Sequence, residues 1–136
     1  MSIRIDKACR YTKSHEWIRP MKSNTARLGI TDYAQDQLSD IVYVELPEIG
    51  DTFKKGDSFA VAESVKATSD CYMPVGGEIT AVNDDLANAP QSVNGDPYVA
   101  GWFVEISMSN PSELNDLMGP EAYESFCAEE SAKGGH

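Results

Sequence analysis

The stretch from Ser58 to Gly77 limits the possible folds more than any other. Two apolar-leaning runs of similar length, Ser58 to Val65 and Ala67 to Val75, flank a single lysine, Lys66. The second run ends at Pro74 and the Gly76-Gly77 pair, a turn signal. Side chains alternate along an extended chain, so Phe59, Val61, Glu63 and Val65 are expected on one side of the first run. The simplest geometry is two short strands folded back on each other with Lys66 at the bend, although no Asn-Gly or Asp-Gly marks that bend. Lys66 is the sole Lys or Arg between Lys55 and Lys133. On a rigid hairpin tip it offers a nucleophilic amine, a long stem and open access. Surface charge is usually just surface, so position alone gives this lysine no role.

The rest of the chain reads as further short strands. Residues 1 to 9 are expected to form a loosely held arm, and Arg10 to Arg19 an extended segment anchored by Tyr11 and Trp17. Thr25 to Ile30 alternates as a half-buried strand, with Ala26, Leu28 and Ile30 on one side. Thr31 or Asp32 is suited to cap a short helix near 32–38. Ile41 to Leu46, stopped by Pro47, and Thr52-Phe53, between the turns Ile49-Gly50-Asp51 and Lys55-Gly56-Asp57, read as strands. So does Glu78 to Val82, and the run Gly50 to Lys55 loosely echoes Gly77 to Val82. Asn83 to Tyr98 is too polar, and too rich in Asn, Asp and Pro, for regular structure to be expected. Trp102, Val104, Ile106 and Met108 alternate within a strand over 101–108. Asn110-Pro111-Ser112-Glu113 starts a helix near 111–118. Gly119-Pro120 starts another over 120–130, with Ala122, Tyr123, Phe126 and Cys127 on one face. Residues 131–136 are expected to form a disordered tail. Residues 10–130 thus make one mainly β domain, a small sandwich or flattened barrel with helices at its edges.

Composition excludes several functions. Eleven basic against 22 acidic residues give a formal net charge of -11, the wrong sign for nucleic acid or anionic membrane. Cys9, Cys71 and Cys127 are odd in number and lack metal-ligand spacing, which points to a reducing compartment and no metal site. No apolar run approaches the ~20 residues of a membrane span. There is no nucleophile elbow, phosphate loop or paired Cys/His set, and His15 and His136 lie at opposite ends of the chain. No catalytic residue can be named, and the chain reads as a carrier rather than an enzyme.

The motif around Lys66 sharpens this reading. Glu63-Ser64-Val65-Lys66-Ala67, followed by Ser69-Asp70, resembles the lipoylation site of the glycine cleavage system H-protein family. The resemblance runs from Tyr11 to about Glu130, through Ser14-His15-Glu16-Trp17, Gly29 to Gln35, Val44 to Asp51, Pro97-Tyr98, Gly101-Trp102 and Ser112-Glu113-Leu114. Biotin carriers flank their lysine with methionines, and lipoyl domains of 2-oxoacid dehydrogenases usually show Asp-Lys-Ala. Here the flanks are Val65 and Ala67.

The resemblance implies two antiparallel sheets of the lipoyl-domain type. It implies lipoic acid in amide linkage to Lys66, with Glu63, Ser64, Val65, Ala67 and Asp70 serving recognition by the lipoylating enzyme and partners. The arm would take the aminomethyl group of glycine from a pyridoxal-phosphate glycine decarboxylase. An aminomethyltransferase would pass the carbon to tetrahydrofolate, and an FAD-dependent dihydrolipoamide dehydrogenase would reoxidise the dithiol. Residues matching Ser14, Glu16 and Asp70 would shelter the loaded arm. A protonated amine favours a carboxylate and a hydroxyl at close range. Also implied are a monomer and a bacterial cytoplasmic location, or the mitochondrial matrix if a transit peptide has been removed. A lipoyl donor to other complexes and a biotinyl-type module are the alternative roles. The chain departs from the family pattern at Cys71, Met73 and Gly76.

Overall fold

The alternation read along β3 (Thr25–Ile30) and β9 (Val104–Met108) sets the inner face of the larger sheet. Leu28, Val104 and Ile106 are buried, while Arg27 and Glu105 pair on the outer face at 2.6 Å. The computed structural model describes residues 3–134. With β1 (Arg10–Tyr11), β2 (Glu16–Pro20), β5 (Thr52–Phe53) and β8 (Gly77–Val82), these strands form a six-stranded sheet in the order β1-β2-β3-β9-β8-β5. The other sheet has three strands, β4 (Ile41–Glu45), β6 (Ser58–Ser64) and β7 (Thr68–Tyr72), in the order β4-β6-β7. All pairings are antiparallel, and the main core lies between the sheets, with Leu28, Ile79 and Ile106 facing Val44, Ala62 and Cys71. The two echoing runs are strands that pair with each other, Thr52 opposite Glu78 and Phe53 opposite Gly77.

α1 (Asp32–Leu38) starts where the sequence places it, with Thr31 as cap: its hydroxyl accepts from Ala34 N at 3.1 Å. The hairpin around Lys66 is present, but its inward residues differ from simple alternation. Ser58 pairs with Tyr72 and Ala60 with Cys71, so Phe59 is an extra residue in β6. This bulge inverts the faces: Phe59, Ala60 and Ala62 are buried, and Val61 and Glu63 turn outward. Composition carries no trace of a single inserted residue.

Four further expectations need correction. Asn83 to Tyr98 is partly regular, with a 3-10 turn at Asp84–Ala87 and a helical turn, α2 (Ser92–Gly95), because Leu86 and Val93 anchor the segment in the core. The segment after Asn110 is a 3-10 helix ending at Asp116. Glu113 does not fold back on Asn110 N as a capping-box acceptor: its Oε1 accepts from Gly76 N at 2.9 Å, and Met118 must be extended to bond Tyr11. The final helix, α3 (Pro120–Gly134), runs past 130, so residues 131–134 are helical, while Gly135 and His136 lie outside the described residues.

The arm is also held more firmly than expected. Arg4 bonds both oxygens of Asp32, through its N–H at 2.8 Å and its guanidinium at 3.0 Å, and donates to the carbonyls of Asn94 and Gly95. Burial pushes the Asp32 carboxyl up, but the Arg4 donors outweigh it and hold the group below its ordinary value. Ile3, Ile5 and Cys9 join a second core built on Tyr11, Trp17, Tyr33, Tyr98 and Tyr123. Met1 and Ser2 lie outside the described residues. All three cysteines are free and buried, and no helix among the described residues is long and apolar enough to cross a membrane.

Candidate functional site

The turn that carries Lys66 is built by Ser64. Ser64 N donates to Ala67 O at 2.8 Å, which closes a two-residue loop of Val65 and Lys66. The Ser64 hydroxyl accepts from Lys66 N at 3.1 Å and Ala67 N at 2.9 Å, and lies 3.0 Å from Ala67 O. The side chain thus stands in for a backbone carbonyl at the point where β6 reverses. This explains a tight turn without the positive-φ residues that two-residue hairpins usually use; neither Val65 nor Lys66 has positive φ. Val65 N donates to Asp40 O at 3.0 Å, which fixes the turn against the start of β4. Lys66 is exposed, and its Nζ donates to Gln37 O, near the end of α1, at 3.2 Å.

The remaining candidates divide into two groups. Glu63, half-buried, sits opposite Tyr43 and Thr68; Ala67 closes the turn; Asp70 is exposed on β7, with Ser58 Oγ at 3.3 Å. Ser14 and Glu16 meet elsewhere, at the opposite end of β7. Glu16 is only 2% exposed. Its Oε1 accepts from Thr12 Oγ1 and Ser14 Oγ, both at 2.6 Å, and its Oε2 from Tyr72 N at 3.1 Å. Burial pushes its carboxyl above the ordinary value, against the pull of these donors. Tyr72 is six residues beyond Lys66, roughly 20 Å at strand spacing. Glu16, at the start of β2, thus touches the hairpin only at its base, through the Tyr72 N–H. Asp70 does not join Ser14 and Glu16 directly.

Glu16 and Ser14 line an open cleft of about 270 Å³ with Thr12, Tyr72, Leu117 and Met118 among its walls, and with Lys55 and Asp116 paired at 3.3 Å beside it. Sequence reasoning missed Thr12 and Tyr72. Thr12 is unremarkable locally, and Tyr72 contributes a backbone N–H that any residue could supply.

His15, unassigned from sequence, lies between Ser14 and Glu16 but faces away from the cleft. Its φ is 72°, its ring stacks on Tyr33 with centroids 4.5 Å apart, and its Nδ1 lies 2.8 Å from the Tyr123 hydroxyl. Tyr123 in turn meets Thr31 Oγ1 at 2.6 Å and stacks on Tyr11 at 4.3 Å. His15 thus ties the Ser14–Glu16 segment to the second core. Cys71 and Met73 are buried in the core and Gly76 N donates to Glu113, so the three departures from the family pattern are absorbed in packing beyond the hairpin. Among the described residues no three His, Cys, Asp or Glu side chains cluster as a metal site.

Comparison with known proteins agrees with this geometry. The family model described as "Glycine cleavage H-protein" matches residues 9–130. A glycine cleavage system H protein of Koribacter versatilis is 53% identical over 122 residues, covering 90% of this chain and 93% of the relative. One from Halothermothrix orenii is 51% identical over 119 residues, covering 88% and 92%. The crystal structure of a glycine cleavage system H protein from Mycobacterium marinum superposes with a TM-score of 0.80 at 32% identity, covering 93% of this chain and 99% of that one.

Proposed function

The chain belongs to the glycine cleavage H-protein family, and from that premise we propose that Lys66 carries the lipoyl group and that Glu16, with Ser14, receives the far end of the arm. The chain is a non-catalytic lipoyl carrier of the glycine cleavage system. The observation that supports the lysine assignment is the turn itself: an exposed amine on a two-residue loop, locked by one serine hydroxyl. The amine is all that the protein itself must supply to the amide, the activated carboxyl coming with the lipoyl group, and Lys66 presents one without a carboxylate partner among the described ion pairs.

When attached, lipoyl supplies the dithiolane that carries the aminomethyl unit and two electrons. The protein's own part is to tether and to shield. A tether raises the effective concentration of its cargo at each partner. A carboxylate offers about four acceptor positions, and Glu16 has three donors, so one remains for an incoming ammonium. Such an ammonium would offset the cost of keeping a buried carboxylate charged. Asp70 lies on β7 between Lys66 and Tyr72, whose N–H Glu16 accepts, which supports a role for it beside the arm.

Family membership implies partner enzymes. We read them as the pyridoxal-phosphate glycine decarboxylase, the tetrahydrofolate-dependent aminomethyltransferase and the FAD-dependent dihydrolipoamide dehydrogenase, with a lipoylating enzyme acting first and the carrier working as a monomer. Intact mass and peptide mapping after lipoylation test the lysine assignment. Wild type is expected to gain one lipoyl group at Lys66 and then to support glycine decarboxylase turnover. Lys66→Arg keeps the charge and is expected to gain nothing; a lipoyl mass on that variant overturns the assignment.

A further inference from the structure

The outer face of the three-stranded sheet carries an apolar ledge beside Lys66 that neither tethering nor shielding uses. Ile41 pairs with Ser64 and Tyr43 with Glu63, so Val42 is an extra residue in β4, an edge strand. The bulge turns two consecutive apolar side chains to solvent: Val42 is 52% and Tyr43 48% exposed. Ordinary alternation would have hidden one of them. Bulges re-aim side chains and gather near functional sites. Val65, at the turn, is 68% exposed, and its N–H is bonded to Asp40 O, two residues before Val42. Lys66 Nζ rests on Gln37 O, so the amine leans toward the same end of β4.

The surroundings are acidic. Across the sheet, Tyr43, Glu63 and Thr68 form one row, and Glu45, Val61 and Asp70 the next. Among the described residues Glu45, Glu63 and Asp70 form no salt bridge, and β4, β6 and β7 contain no Lys or Arg. The matching surface is an apolar recess rimmed with basic side chains.

Resting on the assignment of Lys66 as the lipoyl site, we infer that Val42, Tyr43 and Val65 form the docking ledge for the enzyme that acylates Lys66, and that Glu45 is part of its electrostatic rim. Acylation joins Nζ to an activated carboxyl: the N–C bond forms, the bond from carbon to the activating phosphate breaks, and the amine proton leaves to solvent. The enzyme must therefore bring its own active site onto the turn. Partners that act at the dithiolane meet the arm a full side chain away and need no grip on this ledge.

The test uses the full chain, a lipoate–protein ligase, lipoic acid and ATP, followed by intact mass. Val42→Ser/Tyr43→Ser is expected to lower the kcat/KM of lipoylation about tenfold, mostly through KM, because truncating a buried interface anchor typically has an effect of this size. Glu45→Lys is expected to slow the reaction and to flatten its salt dependence. Once driven to full lipoylation by excess ligase, the double variant should support glycine decarboxylase turnover at the wild-type rate. Lipoylation within twofold of wild type overturns the inference. So does an equal loss in decarboxylase turnover, which would make the ledge a general partner surface. If wild type itself is modified at another residue, the Lys66 assignment fails and the ledge falls with it.

Discussion

Glu16 Oε2 accepts the backbone N–H of Tyr72 at 3.1 Å and so joins the N-terminal sheet to the base of the lysine hairpin across 56 positions. The carboxylate is part of the fold as well as a candidate for binding the arm. From sequence, Glu16→Gln is expected to leave folding almost unchanged; its burial revises that. The glutamine oxygen can keep the Thr12 and Ser14 donors, but its amide then faces the Tyr72 N–H with a donor. A stability loss of about 1–3 kcal/mol is expected in urea unfolding. The loaded form should also release formaldehyde and ammonia several-fold faster in a partner-free incubation. A variant as stable as wild type would show that the Tyr72 contact carries little energy.

Glu16 also sets a pH trend of unusual sign. Its carboxyl is raised above the ordinary 4.5, so the folded state holds the proton more tightly than the unfolded chain. Its contribution to stability is full below that value and is lost as pH rises through the folded-state value. The difference in unfolding free energy, wild type minus Glu16→Gln, should therefore fall as pH increases above 4.5.

His15 works in the opposite direction. Burial lowers its imidazole below 6.5, although Glu130 opposes the shift. We assign a neutral ring whose Nδ1 accepts from Tyr123, which in turn accepts from Thr31. As pH falls below 6.5 the unfolded chain takes up a proton first, so stability drops until the folded-state value is reached. His15→Asn, which tolerates the left-handed backbone, should lose this slope. An NMR titration of His15 at or above 6.5 would refute the assignment.

Gly29→Ala should be among the more damaging small changes. Gly29 faces Trp17 across β2 and β3, and an added Cβ would lie 2.7 Å from Trp17 Cζ2. The indole cannot retreat, because its Nε1 donates to Pro97 O at 3.1 Å and Arg19 lies 4.7 Å above the ring. Overpacking of this kind typically costs about 1–3 kcal/mol. The urea midpoint measures it.

Ser64→Ala removes the acceptor for two turn N–H groups in a solvent-accessible site, so water takes over part of the loss. About 1 kcal/mol or less is expected, with a larger proportional fall in lipoylation kcat/KM as the turn loosens. Ser64→Thr keeps the hydroxyl and should restore the rate. Unchanged lipoylation of Ser64→Ala would show that the serine does not preorganise the lysine.

The parts legible in the sequence were those with a period or a punctuation mark. Thr31 as cap, the alternation of Ala26, Leu28 and Ile30, and the turns at Gly50 and Gly56, both at positive φ, all follow local rules. So does the exposed lysine between two strands. What stayed hidden was either a single inserted residue or a partner far along the chain. The bulges at Val42 and Phe59 change which residues face the core without changing composition. Glu16 reads as one acid among 22, and only folding brings Tyr72 to it. The two helical turns after Asn83 rest on Leu86 and Val93, two anchors too few to overcome a polar context on the page.

Tyr11 exchanges both backbone hydrogen bonds with Met118, at 2.9 and 3.0 Å, and stacks on Tyr123. One wall of the cleft therefore joins the two ends of the chain, whereas the hairpin that presents Lys66 closes within a few residues. On the proposed assignment, the place of acylation is thus built from contacts local in sequence, and the wall of its shelter from contacts more than a hundred positions apart.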